Sequence, residues 1–386
     1  MNNFDTLLVH AGEAPDATGA IAPPLYRTKT YAQQFGVDAP FKYSRGKNPT
    51  RAALETKLAL LEGGLYATAF SSGNAATAMF LFTLSPGDHI LCCQEVYGGT
   101  YRLLDKVMSQ FNVTADYVDF STKESIKAGI KPNTKYLFVE SPTNPSLHII
   151  DLKLVAEVSK ETGIPFVVDS TFAPPCTTRP LEYGAKVVIQ SLSKYIAGHN
   201  DVLAGALITS DALLHERFQF LFKTIGAILS PDECYRILQG VKTLSMRWEK
   251  VSTTAEYIAT KLHFHDKVKK VNYPSLLDEP MRSVAFLQMK HGCGGVLSFE
   301  LEDQYHSPSQ IKTFVDAATK HGVITYAESL ASPETILAYP PEMSHMSLPK
   351  DVRESLGITD GFFRFSVGFE DVTDIWTNLR RGLDAL

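Results

Sequence analysis

The chain is short of cysteine, of long apolar runs and of basic runs, and each shortage removes a class of protein. Its 386 residues hold five cysteines, Cys92, Cys93, Cys176, Cys234 and Cys293. The number is odd and no C-x-x-C pair occurs, which suits neither a disulfide framework nor a zinc site. No metal is expected, and a reducing compartment is. The N-terminus lacks the basic start and apolar core of a signal peptide, so the expected location is cytoplasmic. No stretch reaches about 18 uninterrupted apolar residues, so no membrane association is expected. Lys plus Arg number 37 against 42 Asp plus Glu, with no run of five basic residues, so nucleic acid is not an expected partner. The G-x-G-x-x-G, Walker and H-E-x-x-H motifs are missing as well.

What remains is an average soluble composition, 44% apolar and 20% charged, over a length that favours two packed domains. Residues 1–45 carry Gly12, Pro15, Gly19, Pro23 and Pro24 without sustained periodicity and read as an extended arm. Thr50 reads as the cap of a helix through Leu61, with Leu54, Leu58 and Leu61 at helical spacing and Gly63 and Gly64 as its stop. Short apolar runs then alternate with helical patterns. The runs are 89–93, 136–140, 165–169, 186–190 and 206–209, and segments such as Lys153 to Thr162 lie between them. This is α/β texture with buried, mostly parallel strands, and ligands in such sheets bind beyond the carboxyl ends of the strands. From about 246 to 386 a helix-plus-strand pattern with a higher charge density reads as a smaller second domain, which leaves 46–245 as the large one.

Three strand ends carry reactive groups: Glu140-Ser-Pro-Thr-Asn-Pro145, Asp169-Ser-Thr-Phe172 and Ser191-Leu-Ser-Lys-Tyr-Ile-Ala-Gly-His-Asn-Asp201. All would open on one edge of the sheet. A carboxylate at Asp169, after a buried run, is costly to leave ionised without a cationic partner. A lysine at 194 in a partly desolvated cleft is poised as an amine nucleophile toward an aldehyde. A Schiff-base lysine and an acid partner for a ring nitrogen are the two groups that pyridoxal 5'-phosphate needs. Ser71-Ser-Gly-Asn-Ala-Ala-Thr77 opens a helical segment, where the backbone N–H groups of Gly73 and Asn74 can face an anion. The hydroxyls of Ser191 and Ser193 are donors for the same phosphate. A different reading exists, because Ser191-x-x-Lys194 also matches the S-x-x-K of serine acyl-enzymes, but its S-D-N and K-T-G companions are missing.

These residues resemble the transsulfuration family of pyridoxal-phosphate enzymes, which includes cystathionine γ-synthase, γ-lyase and β-lyase, methionine γ-lyase and O-acylhomoserine sulfhydrylase. The resemblance covers nearly the whole chain. Tyr43-Ser-Arg-Gly-Lys-Asn-Pro-Thr-Arg51, Tyr97-Gly-Gly-Thr100, Glu140 to Pro145, the Lys194 segment, Ala327-Glu-Ser-Leu330 and Arg364-Phe-Ser-Val-Gly368 follow in the family's order. The resemblance implies the aspartate-aminotransferase-like fold (fold type I), with a mostly parallel seven-stranded sheet and a smaller C-terminal α/β domain. It implies that Lys194 binds the cofactor and moves protons, that Asp169 partners the ring nitrogen, and that Tyr97 stacks on the ring. Gly73, Asn74, Ser191 and Ser193 would hold the phosphate. Tyr43 and Arg45 would join them from a neighbouring subunit, in a homotetramer built as a dimer of dimers, with Tyr43 also bordering the substrate. Asn144 would bond the ring hydroxyl side. Arg364, with Ser329, would fix the carboxylate of a small amino-acid substrate.

Within the family, Gly99 stands where methionine γ-lyases carry cysteine. Glu328 stands where cystathionine γ-synthases and γ-lyases carry Glu, suited to a distal ammonium. The expectation is therefore elimination or replacement at Cγ of a cystathionine or O-acylhomoserine type substrate. The alternatives are methionine γ-lyase, O-acylhomoserine sulfhydrylase or cystathionine β-lyase activity, or a non-standard γ-substituted substrate. Two departures bear on that last alternative. Ala331-Ser-Pro333 replaces the usual Gly-Gly after Leu330, and Asn74 puts an amide where an apolar side chain usually packs.

Overall fold

A computed structural model describes residues 3–344, 346 and 350–386. The chain forms two compact units. The first comprises the chain up to Gln94, Gly99–Val139 and Leu152–Ser245, and the second comprises Glu95–Gly98, Glu140–Asp151 and Met246–Leu386.

The first unit is built on a seven-stranded sheet. Its strands are β1 (Tyr66–Phe70), β2 (His89–Cys93), β3 (Thr114–Val118), β4 (Thr134–Glu140), β5 (Phe166–Asp169), β6 (Val187–Gln190) and β7 (Gly205–Thr209), in the order β1-β7-β6-β5-β4-β2-β3. Strand β2 runs parallel to β3 and β4, and β5 runs parallel to β6. Strand β7 lies antiparallel between β1 and β6. The strands β2, β5, β6 and β7 are buried along their whole length, which is why they read as continuous apolar runs rather than as alternating ones. The edge strand β3 is only half covered.

Helix α1 (Phe4–His10) opens the unit and α2 (Pro49–Leu61) follows the arm. The arm is thus not extended throughout. Lys57 of α2 is fully buried and holds α1 in place, donating to the carbonyl of Leu8 at 2.7 Å and pairing with Glu13. Glu13 also pairs with Lys242 at 2.7 Å. The cap of α2 is Asn48, whose Oδ1 accepts from the N–H groups of Thr50 and Arg51, and not Thr50 itself. Pro49 fits the first helical position because its missing N–H has no intrahelical partner to lose. Helix α3 (Gly73–Leu81) is capped by Ser72, which accepts from Ala75 N–H at 3.0 Å.

The second unit holds a five-stranded sheet of β8 (Val268–Asn272), β9 (Val296–Leu301), β10 (Ile324–Tyr326), β11 (Thr335–Ala338) and β12 (Phe362–Ser366), ordered β10-β11-β12-β9-β8. Only β10 and β11 pair in parallel among these strands. Phe299, Phe314, Phe363 and Tyr339 pack as one aromatic group, with Phe299 and Phe363 stacked and Phe314 edge-on to Phe299. Helices Pro308–Thr319 and Val372–Asp384 meet so closely that a Cβ on Gly382 would lie 2.8 Å from that of Ala318. Among the described residues, no helix is long and apolar enough to cross a membrane.

Candidate active site

In the first unit, three segments besides the arm carry expected cofactor residues. Asp169 ends β5 and is 8% exposed. Its Oδ1 accepts from Thr171 N–H at 3.1 Å and from Thr171 Oγ1 at 2.6 Å. Burial raises the Asp169 carboxyl above its ordinary value, and the two bonds from Thr171 oppose that rise. An anion in this state is stabilised by a cation brought to it. The same Thr171 Oγ1 accepts from Ser191 N–H at 2.9 Å, so one side chain ties the end of β5 to the segment after β6.

That segment is a turn, in which Lys194 N–H donates to the Ser191 carbonyl and Gly198 N–H to the Lys194 carbonyl. Lys194 is half-buried. Ser193 Oγ donates to the Ala204 carbonyl at 3.1 Å and accepts from Ala204 N–H at 2.9 Å, so its hydroxyl is engaged in closing the turn. Ser191 Oγ instead stands beside the start of α3: a Cβ built on Gly73 would lie 3.1 Å from it and 2.9 Å from Ser191 Cβ. Gly205 is equally constrained, since its Cβ would fall 2.3 Å from the Ser72 carbonyl oxygen. Gly73 and Asn74 occupy the first two positions of α3, whose N–H groups have no intrahelical acceptors. Backbone N–H groups at a helix start, a serine hydroxyl and a cradle that admits no side chain fit a phosphate group. A buried carboxylate with raised basicity fits a protonated ring nitrogen, and a half-buried lysine fits an aldehyde. The donor set therefore fits pyridoxal phosphate.

Tyr43 and Arg45 lie on the arm of the same unit and are exposed. The Arg45 guanidinium sits 5.6 Å from the Tyr43 ring centre and donates to the Lys223 carbonyl at 2.8 Å.

In the second unit, Arg364 lies on β12 and is buried. One of its terminal nitrogens donates to Asn144 Oδ1 at 2.9 Å and the other to the Ser329 carbonyl at 2.7 Å. Asn144 is buried and its amide oxygen is turned to that guanidinium. Glu328 is exposed on the turn that carries Ser329. Ser329 and Ala331 both have left-handed backbones, with φ of 86° and 61°, which costs a side-chain-bearing residue about 1–2 kcal/mol. Ala331 N–H donates to Ser366 Oγ at 2.9 Å and Phe369 N–H to the Pro333 carbonyl at 2.7 Å, so the altered loop is pinned at both ends. Tyr97 is half-buried, and its N–H donates to Glu140 Oε2 at 2.6 Å.

The sequence reading gave no role to Thr171, Glu95 or Glu140. Thr171 follows a strand-end aspartate by two residues, the spacing of a local hydroxyl–carboxylate turn. Glu140 ends a buried strand just as Asp169 does, and the same argument from desolvation singles it out. The acids Glu300 and Asp303 approach His306 in the second unit. Lys269 already sits there, 2.7 Å from Asp303 and 3.6 Å from Glu300, so this group is an ion-pair cluster.

A sequence profile described as Cys/Met metabolism PLP-dependent enzyme matches residues 5–384. The chain belongs to this family. A cystathionine beta-lyase from Coxiella burnetii is 41% identical, over 99% of this chain and 98% of its own. A cystathionine gamma-synthase from Mycobacterium leprae is 40% identical, over 98% of this chain and 96% of its own. Among solved structures, a cystathionine gamma-lyase from Lactobacillus plantarum complexed with L-serine superposes with a TM-score of 0.95 at 39% identity, covering 100% of this chain and 99% of its own. The fold is that of the pyridoxal-phosphate transsulfuration enzymes (fold type I), as the sequence resemblance implies. As a member of the Cys/Met family, the protein is a pyridoxal-phosphate enzyme of sulfur amino-acid metabolism acting on a small amino-acid substrate.

Proposed function

We propose that the protein carries out elimination or replacement at Cγ of a cystathionine or O-acylhomoserine type substrate, as a cystathionine γ-lyase or γ-synthase. Bound pyridoxal phosphate supplies the electron sink for carbanions formed at the substrate carbons. Gly73 and Asn74 N–H groups and Ser191 Oγ hold its phosphate, with Ser193 behind them closing the turn. Asp169 would keep a proton on the ring nitrogen, and Tyr97 would offer its ring for stacking. Lys194 Nζ would hold the cofactor through its aldehyde and would serve as the group that carries protons between the substrate carbons. Arg364 receives the substrate carboxylate with its planar fork, and Asn144 and the Ser329 carbonyl fix that fork.

Glu328 is the observation that carries the choice of substrate. It is an exposed carboxylate one residue from Ser329, whose carbonyl Arg364 holds, and it is suited to a distal ammonium. Residues 1–45 act as an arm that brings Tyr43 and Arg45 to a neighbour's cofactor, in a cytoplasmic homotetramer made of two dimers, while 46–245 and 246–386 serve as cofactor and small domains. The exposed Ile21, Phe35, Val37 and Tyr43 along the arm support cover by a second copy.

The second reading is β-elimination from cystathionine, favoured by the 41% identity to a relative of that name. A substrate panel decides between them. Cystathionine, O-acetylhomoserine and O-succinylhomoserine are offered with and without cysteine, and the products are assayed. 2-Oxobutanoate or newly formed cystathionine supports Cγ chemistry, and pyruvate from cystathionine supports the β-lyase.

A further inference from the structure

Two loops of the second unit lock each other with a buried carboxylate apiece. Glu140 begins the loop 140–151 and reaches the loop 95–98, where its Oε2 accepts from Tyr97 N–H at 2.6 Å. Glu95 begins the other loop and reaches back, accepting from Thr143 Oγ1 and, at 2.6 Å, from Ser146 Oγ. His148 Nδ1 stands 3.3 Å from Glu95. Glu95 is 5% exposed and Glu140 is 4% exposed. Burial works against the Glu95 anion, yet its bonds from His148, Ser146 and Thr143 hold the carboxyl below its ordinary value.

Glu140 does more than brace. Its second oxygen, Oε1, accepts from Asn144 N–H at 3.1 Å. Asn144 Oδ1 accepts from Arg364 at 2.9 Å, and Arg364 donates onward to the Ser329 carbonyl at 2.7 Å. An unbroken series of hydrogen bonds therefore runs from Tyr97 through Glu140, Asn144 and Arg364 to Ser329. A carboxylate accepts on both oxygens, whereas an amide in its place turns an NH2 toward one of the two N–H groups. The residue at 140 has to be an acid if both loops are to be held at once.

We propose that Glu140 is a positioning residue that couples the substrate-carboxylate fork of Arg364 to the ring-stacking Tyr97, an inference that rests on the roles proposed above for those two residues. A carboxylate docking on Arg364 bears on Asn144, and through Glu140 on the backbone that sets the Tyr97 ring. The enzyme thereby registers at Tyr97 whether the bound amine carries a carboxylate.

The test uses the holoenzyme and the visible absorption of its cofactor, titrated with glycine and with methylamine, its counterpart without a carboxylate. Glu140→Gln is expected to keep the cofactor bound while lowering the thermal midpoint by a few degrees, because one of the two buried N–H groups loses its acceptor. It should weaken glycine binding tenfold or more and change methylamine binding less than twofold. Adding it to Arg364→Lys should weaken glycine binding no further than Arg364→Lys alone, because both act through one series of bonds. Equal losses for glycine and methylamine, or independent, multiplying effects of the two substitutions, overturn the proposal. Should Glu140→Gln lose its cofactor or unfold, Asn144→Ala interrupts the same series on the far side of Glu140. It must then show the glycine-selective loss, and equal losses again overturn the proposal. If the wild type shows no cofactor band, or no response to either ligand, the proposed function itself fails and takes this inference with it. If the wild type responds and Glu140→Gln responds identically, only this inference falls.

Discussion

Gly73 and Ser191 stand so close that a Cβ on the first would lie 2.9 Å from the Cβ of the second. Neither can retreat freely, since Gly73 starts α3 and Ser191 N–H is held by Thr171. A methyl group here pushes the helix start away from the serine hydroxyl, an overpacking cost of about 1–3 kcal/mol. Gly73→Ala is expected to lower cofactor affinity by roughly tenfold or more, measured by titrating the apoenzyme with pyridoxal phosphate.

Arg364→Lys keeps the charge and removes the fork. A lysine cannot serve Asn144 Oδ1, the Ser329 carbonyl and a bidentate carboxylate together. The expected result is a fall in kcat/KM of roughly 10- to 100-fold, mainly through KM, with the resting cofactor spectrum unchanged. Steady-state kinetics on the preferred substrate of the panel measures it.

Ala331 pays for its left-handed backbone, φ 61°, with a Cβ that a glycine lacks. Ala331→Gly is expected to stabilise the protein by roughly 0.5–1 kcal/mol, the strain relieved less the extra freedom gained by the unfolded chain. Chemical denaturation at one pH reads the difference.

Glu62 caps α2 at its C-terminal end, 1% exposed, and its Oε1 accepts from Gln190 at 2.8 Å. Burial raises its carboxyl from 4.5 to about 8, against the lowering effect of the Gln190 bond. Between these two values the folded chain keeps a proton that the unfolded chain has released. Stability due to this group is therefore full below pH 4.5 and declines as pH rises toward 8, by at most about 1.4 kcal/mol per pH unit. Glu62→Gln is expected to flatten that decline. Denaturant midpoints of both proteins at pH 5, 6.5 and 8 give the two slopes, and parallel slopes contradict the assignment.

Much of the fold was legible because burial writes itself into composition. Strands β2, β4, β5, β6 and β7 coincide with the apolar runs, and α2 with its leucine spacing. Strand β3 was not legible, since an edge strand such as Thr114-Ala-Asp-Tyr-Val118 needs apolar residues on one face only. The seven residues of α1 are too few for a period to emerge, and their stability comes from Lys57, far along the chain. Lys194 and Asp169 were legible at the site because each follows a buried run. The partnership of Asn144 with Arg364 was not, since 220 positions separate them and neither segment carries a mark of the other.

The buried ammonium of Lys57 ties residues 4–13 into the core. Here the carbonyl of Leu8 and the carboxylate of Glu13 neutralise a charge that water does not reach. Removing residues 4–13 would strand that charge inside the protein, together with the loss of a partner for Lys242. A protease that clips within residues 4–13 would therefore damage the core rather than shave the surface.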